Sequence, residues 1–357
     1  MKNILTMACV LVLDACSTSS SSEESGTGLG QGDNNPPVVS LEWSIPRSEV
    51  LDGGPGKDGI PALVNPIMAD VQAINYLRDT DLVIGIKNGD DVRAYSHAIL
   101  DWHEIINDNL DDVSVAITYC PLTGTGIGWD RIIKGVETTF GVSGLLYNTN
   151  LIPYDRATDS NWSQILNESV NGELLGDKVE LIRLFETDWQ TWKSLYPNSK
   201  VVTTNTGFSR TYGASPYGDY NTNNDRFLFP VPKDPRLPSK ERVHAIIDGS
   251  DARAYRFSDF SSNNIIRDTF KGRNYLIIGN TNFIVSFELT SEPDQLEFEY
   301  IHTGSEVLLQ DNEDNQWNIF GEALSGPREG QFLDTSASFM GFWFSIPAFY
   351  TTEIFGS

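Results

Sequence analysis

One short stretch of this chain concentrates the residue types that do chemistry: His97, His103, Glu104 and Cys120. A thiolate with two imidazoles suits copper or zinc, so Cys120, His103 and His97 form a candidate metal set, with Met340 a distant axial candidate by type alone. His97 and His103 are six apart, which places them on different faces of a helix, and His97 would have to swing in from the helix start. The same residues also read as a thiol enzyme. His103 would then lower the Cys120 pKa and act as base, Glu104 would orient His103, and Thr123, Gly124 and Thr125 could offer N–H groups to an oxyanion. The plain structural reading is a core strand ending at Cys120 and a helix packed or capped by His103.

Two further groups invite a ligand. Arg131, Ser143, Asp155, Arg156, Thr158, Ser160 and Trp162 are candidate contacts, although Asp-Arg-x-Thr-x-Ser-x-Trp reads first as a hydrogen-bonded turn leading into a packed tryptophan. Arg210, Tyr212, Tyr217 and Tyr220 lie in SRTYGASPYGDY, where aromatics and one arginine in a Gly/Pro-rich loop could line a pocket for a sugar or a carboxylate. The acidic runs at 53–59 and 311–318 lack the spacing of an EF-hand, so calcium ranks below copper or zinc. No P-loop, dinucleotide fingerprint, HExxH, GxSxG or CxxC occurs.

The elements that must position these residues occur twice. Sliding the chain by 160 positions lays residues 83–108 over 243–268, and ten of those 26 positions are identical. A looser echo sets Asp155…Trp162 against Asp311…Trp317. Each unit opens with a hairpin, strands at 82–86 and 92–95 about Asn88-Gly89 in the first. Apolar spacing predicts a helix over 97–107 and another over 187–196. Strands are predicted at 113–119, 126–132, 137–142, 145–154 and 200–204, and in the second unit at 275–279, 282–289 and 296–301. The fold class is therefore β-rich α+β, two diverged copies packed as pseudo-symmetric lobes, 39–235 and 236–357. Over Cys120, His97 and His103 the second copy has Asn280, Phe257 and Asn263, so the Cys/His site belongs to the first copy alone.

Residues 1–16 carry Lys2, a short apolar run and Leu13-Asp14-Ala15-Cys16, the pattern of a lipoprotein leader with Cys16 as the lipidated residue. Segment 17–38 is rich in Ser, Gly and Asn and predicts a flexible tether. The expected location is the cell envelope, anchored by N-terminal lipid at the periplasmic side of the outer membrane or the cell surface. Cys9 leaves with the leader and Cys16 carries lipid, which makes Cys120 a lone thiol in an oxidising compartment.

Composition narrows the partners. The net charge is 25 − 49 = −24, which argues against nucleic acid and against charge-driven docking on anionic lipid. The runs GGPGKDGIPALVNP (53–66), VIGIKNGDDVRAYSHAILDWHEIIND (83–108), ITYCPLTGTGIGWDR (117–131), FGVSGLLYNTNLIPYDRATDSNWSQ (140–164), SPYGDY (215–220) and GEALSGPREGQFL (321–333) together resemble one bacterial and archaeal family, domain of unknown function 3179. The likeness spans roughly 45–350 and implies an exported or lipid-anchored protein, with no activity attached. Its cysteine motif often reads Cys-Pro-Leu-Cys, and Thr123 stands here in place of the second cysteine.

Overall fold

The computed structural model describes residues 42–290 and 293–357. The leader 1–16, Cys16 and the tether 17–38 lie outside the described residues. Val39–Ser357 forms one compact unit. The fold is α+β and rich in strand, with two α-helices, His97–His103 and Trp189–Leu195, among the described residues.

The hairpin at the head of each copy forms where the alternation and the glycine place it. Strands Leu82–Asn88 and Asp91–Ser96 pair antiparallel around Gly89, at φ +53°. Strands Arg242–Asp248 and Asp251–Arg256 pair in the same register around Gly249, at φ +60°. A left-handed residue matches the strand twist at a two-residue loop, and glycine takes it without steric cost.

Three sheets recur in order. The first hairpin is flanked by Phe185–Asp188, antiparallel, and Lys200–Val202, parallel; the second by Ser338–Phe342, antiparallel, and Thr351–Ile354, parallel. Strands Ile105–Leu110, Val113–Cys120 and Thr125–Asp130 form a meander answered by Ile265–Phe270, Arg273–Gly279 and Ile284–Leu289. A third sheet built on Phe140–Tyr147 and Asn150–Asp155 is answered by one built on Phe298–Tyr300 and Val307–Asp311.

Side chains repeat with the strands. Tyr95 donates to Asp108 at 2.7 Å and Arg93 at 2.9 Å; in the second copy Tyr255 and Arg253 each donate to Asp268 at 2.7 Å. Trp162 Nε1 donates to Asp155 at 3.0 Å and Trp317 Nε1 to Asp311 at 2.8 Å. These turns explain the Asp…Trp echo as a means of seating a buried tryptophan. The core of the first copy gathers Trp129, Phe140 and Trp162 with ring centroids 5.0–6.4 Å apart.

The predicted strands 126–132 and 137–142 are each divided, into Thr125–Asp130 and Ile132–Ile133, and Val136–Glu137 and Phe140–Tyr147, and two further elements differ in kind. The helix expected over 97–107 stops at His103, and 105–110 is a strand. Glu104 takes φ +57° and turns the chain, and the fully buried Ile105-Ile106 pair then serves a sheet, as Ile265-Ile266 does. Likewise the strand break expected near Ser143-Gly144 is a bulge inside one strand, with Ser143 Oγ donating to Ile152 O at 2.5 Å. The actual turn lies at Asn148-Thr149, both at positive φ.

Candidate functional site

The helix His97–His103 is short, and its caps decide what it can present. His97 and Asp101 stand at i and i+4 on one face of the helix, and Glu104 follows at its C-cap, where the chain turns. His103 leaves by another face. Its Nδ1 lies 2.7 Å from Pro61 O and its Nε2 2.7 Å from the Tyr212 hydroxyl, which also bonds Thr206. Both ring nitrogens are thus occupied, and burial lowers the His103 pKa while the Pro61 carbonyl partly offsets that.

Cys120 is buried, and its Sγ points at Thr149 O, 3.7 Å away. Burial first, then the nearby Glu104 carboxyl, pushes the thiol up to about 11. His97 goes to a third place. Its Nε2 sits 3.1 Å from Glu186 Oε2, without the alignment of a hydrogen bond, and its ring packs on Tyr119 with centroids 4.3 Å apart. The three side chains of the predicted metal set therefore have three separate partners. Among the described residues no group of three or more His, Cys, Asp or Glu is placed to hold a metal ion. The predicted His103–Cys120 base–thiol pair is also not assembled, because His103 is hydrogen-bonded away from it. Alkylation by iodoacetamide gives a direct check. At pH 8 native Cys120 is expected to react at least a hundredfold more slowly than in urea, a rate read by mass spectrometry, since it is both buried and protonated.

What the fold does place around Cys120 is different. Glu104, Tyr217, Tyr220 and Lys240 lie within electrostatic reach of the thiol. Tyr217 donates to Glu104 Oε1 at 3.3 Å. Burial raises the Glu104 carboxyl to about 7; the Tyr217 bond opposes this and the Asp101 charge adds to it. Asp101 itself is raised by burial to about 6. Lys240 is only 6% exposed, and its Nζ has no hydrogen-bond partner. That nitrogen lies 3.3 Å from the Tyr220 ring centroid, 4.5 Å from Phe227, 4.6 Å from Phe344 and 5.4 Å from Phe342. Burial lowers its pKa to about 7. The Tyr220 hydroxyl is likewise buried and unpartnered.

Segment 203–241, which has no helix or strand, covers this cluster. It is fastened by Trp102 Nε1 to Ala214 O at 3.1 Å, by Tyr212 to His103 and by Tyr217 to Glu104. Arg210 stays exposed, its guanidinium 5.9 Å from the Trp102 ring. A second cation, Arg242, enters beside the cluster and pairs with Glu186 while donating to Gly124 O at 3.2 Å. Gly124, at φ +63°, leaves room for it: a Cβ there would lie 2.9 Å from the guanidinium.

The other predicted ligand contacts are engaged internally. Arg131 is buried and donates to Val115 O, Thr138 O, Asp108 O and Asn109 Oδ1. Asp155 accepts from Thr158 and Trp162. Of the acidic runs, Asp311 accepts from Glu313 N, Asn315 N and Trp317 Nε1, and Asp58 from Tyr154 and Arg156. Asp101, Lys240, Arg242 and Glu186 are the site residues missing from the sequence-based set. The legible signal was the second copy's departure from the first, since Lys240 and Arg242 fall over Thr80 and Leu82.

A family model described as a protein of unknown function (DUF3179) matches residues 57–353. No curated protein and no solved structure matches the chain.

Proposed function

Because the chain belongs to the DUF3179 family, its role has to be argued from its own residues, and we propose an exported, lipid-anchored envelope protein that binds a small organic carboxylate beneath segment 203–241. The observation that carries this reading is the unpartnered Lys240 Nζ. A buried ammonium without an anion is costly, and a ligand carboxylate would supply the missing partner. Glu104 keeps its proton up to about pH 7 and so can donate to that carboxylate. Tyr220, Phe227 and Phe344 offer apolar walls to the rest of the ligand. Segment 203–241 itself carries Lys240, Tyr217, Tyr220 and Phe227, and it is held to the rest of the fold through Trp102, His103, Glu104, Trp343 and Thr352. The leader and tether support export and anchoring.

Copper or zinc on Cys120, His103 and His97 draws no support from side chains so separately partnered, and neither does a Cys120 nucleophile. Titration calorimetry of the full chain with acetate, butyrate and benzoate tests the carboxylate reading. Binding is expected at pH 6, weakened at least tenfold by Lys240→Met, and weakening as pH rises above 7, where the ammonium loses its proton. No binding by any of the three, or affinity unchanged in Lys240→Met, overturns it.

A further inference from the structure

A second polar constellation lies on the face of strand Arg242–Asp248 turned away from Val243 and Ala245. His244 pairs directly opposite Met340 on the antiparallel strand Ser338–Phe342. Opposed residues of such a pair project to the same face with their Cβ atoms about 5 Å apart. Both line one cavity of about 80 Å³, together with Glu186, Ser286, Ser336 and Ser338. The rest of the lining is largely aliphatic and aromatic, including Ile84, Ile284 and Phe339.

A chain of serine hydroxyls bears on the tautomer of the imidazole, with Ser338 Oγ 2.9 Å from Ser336 Oγ at its end. His244 Nε2 is 2.7 Å from Ser286 Oγ, which is 2.6 Å from Ser336 Oγ, and Ser336 Oγ donates to Ser286 O at 2.9 Å. In the arrangement where Ser336 donates to Ser286 O or to Ser338 Oγ, the Ser286 hydrogen goes to Ser336, and Ser286 Oγ accepts from Nε2–H. Nδ1 is then left as a bare lone pair, and it is buried with no partner. The opposite tautomer would bury an unpaired N–H donor, a cost of about 1–3 kcal/mol.

We infer that His244 Nδ1 and the Met340 thioether bind a copper(I) ion in this cavity. A soft monovalent ion accepts an imidazole and a thioether as its ligands, whereas zinc in a closed site is almost always four-coordinate. Ser286 serves as the outer partner that orients the ring, a role such groups commonly hold at metal-bound histidines. Glu186 lines the same cavity and is held ionised by Arg242 and His97. None of Lys240, Tyr220 and Cys120 lines this cavity.

The test uses the full chain with Cys9, Cys16 and Cys120 replaced by serine and with selenomethionine in place of methionine. Copper(I) is loaded anaerobically under ascorbate and its affinity read by competition with bicinchoninate. One copper per chain is expected, with a nitrogen and a selenium shell in copper K-edge X-ray absorption. Met340→Leu conserves volume; it is expected to abolish the selenium shell and weaken binding at least tenfold, as is His244→Gln. Failure of the cysteine-free chain to retain copper, or a selenium shell that persists in Met340→Leu, overturns the assignment.

Discussion

Replacing Glu186 with leucine is expected to lower the free energy of unfolding by about 3–5 kcal/mol, the range for removing one partner of a buried ion pair. Glu186 sits on strand Phe185–Asp188 beside the first hairpin, and its carboxylate meets Arg242, which opens the second copy's hairpin. The side chains of Arg242, Glu186 and His97 are 20%, 9% and 12% exposed. Leucine therefore leaves a largely desolvated guanidinium whose one remaining bond is to Gly124 O. The double change Glu186→Leu with Arg242→Met removes both charges and is expected to recover most of the loss in urea denaturation at pH 7. A double variant no more stable than the single one would mean that shape rather than charge carries the effect. The acid limb adds a second reading. Burial acts to raise the Glu186 carboxyl, but the charges of Arg242 and His97 outweigh it and hold it below the ordinary range. A depressed carboxylate adds stability that is present above the unfolded pKa and lost as pH falls through the folded one. Below about pH 4 the parent should therefore lose stability more steeply than the double variant.

The repeat and the hairpins were legible because they rest on local signals. Alternation, a glycine at each turn and ten identities over one span all lie within short windows of sequence. The helix boundary at His103 was not, since Ile105 and Ile106 suit a helix and a buried strand equally, and only the sheet they join decides. The candidate site was legible in part. Cys120 and Glu104 do lie together, and Tyr217 does reach them from the loop. His103 was misplaced because a spacing of six says which face a residue leaves by, but not what waits there; Tyr212 and Pro61 come from distant segments. Lys240 and Arg242 carry no motif. Together with His244 they stand at alternate positions where the first copy has Thr80, Leu82 and Ile84. Three cationic or titratable residues in place of a threonine, a half-buried leucine and a core isoleucine mark a departure from the duplicated unit. Such departures are where local rules yield to function.

Lys240→Met, by contrast, is expected to stabilise the protein, by about 1–3 kcal/mol at pH 6, the usual cost of burying a polar group without a partner. The sign follows from the shift. Burial lowers the Lys240 pKa from 10.5 to about 7, so the native state disfavours the proton that the unfolded chain keeps. Stability from this group is complete above the unfolded value and is lost as pH falls through the folded one. The gain from methionine should thus be largest at or below pH 7 and fade between 7 and 10.5. Glu104 acts in the other direction, because its raised carboxyl adds stability below the unfolded value of 4.5 that is lost as pH rises through about 7. Both costs are near their full size around pH 7, so the parent should show a shallow stability minimum there. Lys240→Met should lift the minimum and its acid side, and Glu104→Gln the minimum and its alkaline side. Four aromatic faces oppose the Lys240 cost, by about 0.5–2 kcal/mol for an ammonium held over rings. Chemical denaturation of parent and variant at pH 6 and pH 9 separates the two effects. A gain at pH 6 that shrinks by pH 9 identifies a lysine retained at a cost in stability, as ligand sites commonly are. A loss at pH 6 would show that the rings outweigh burial, making Lys240 a structural cation and removing the main support for carboxylate binding.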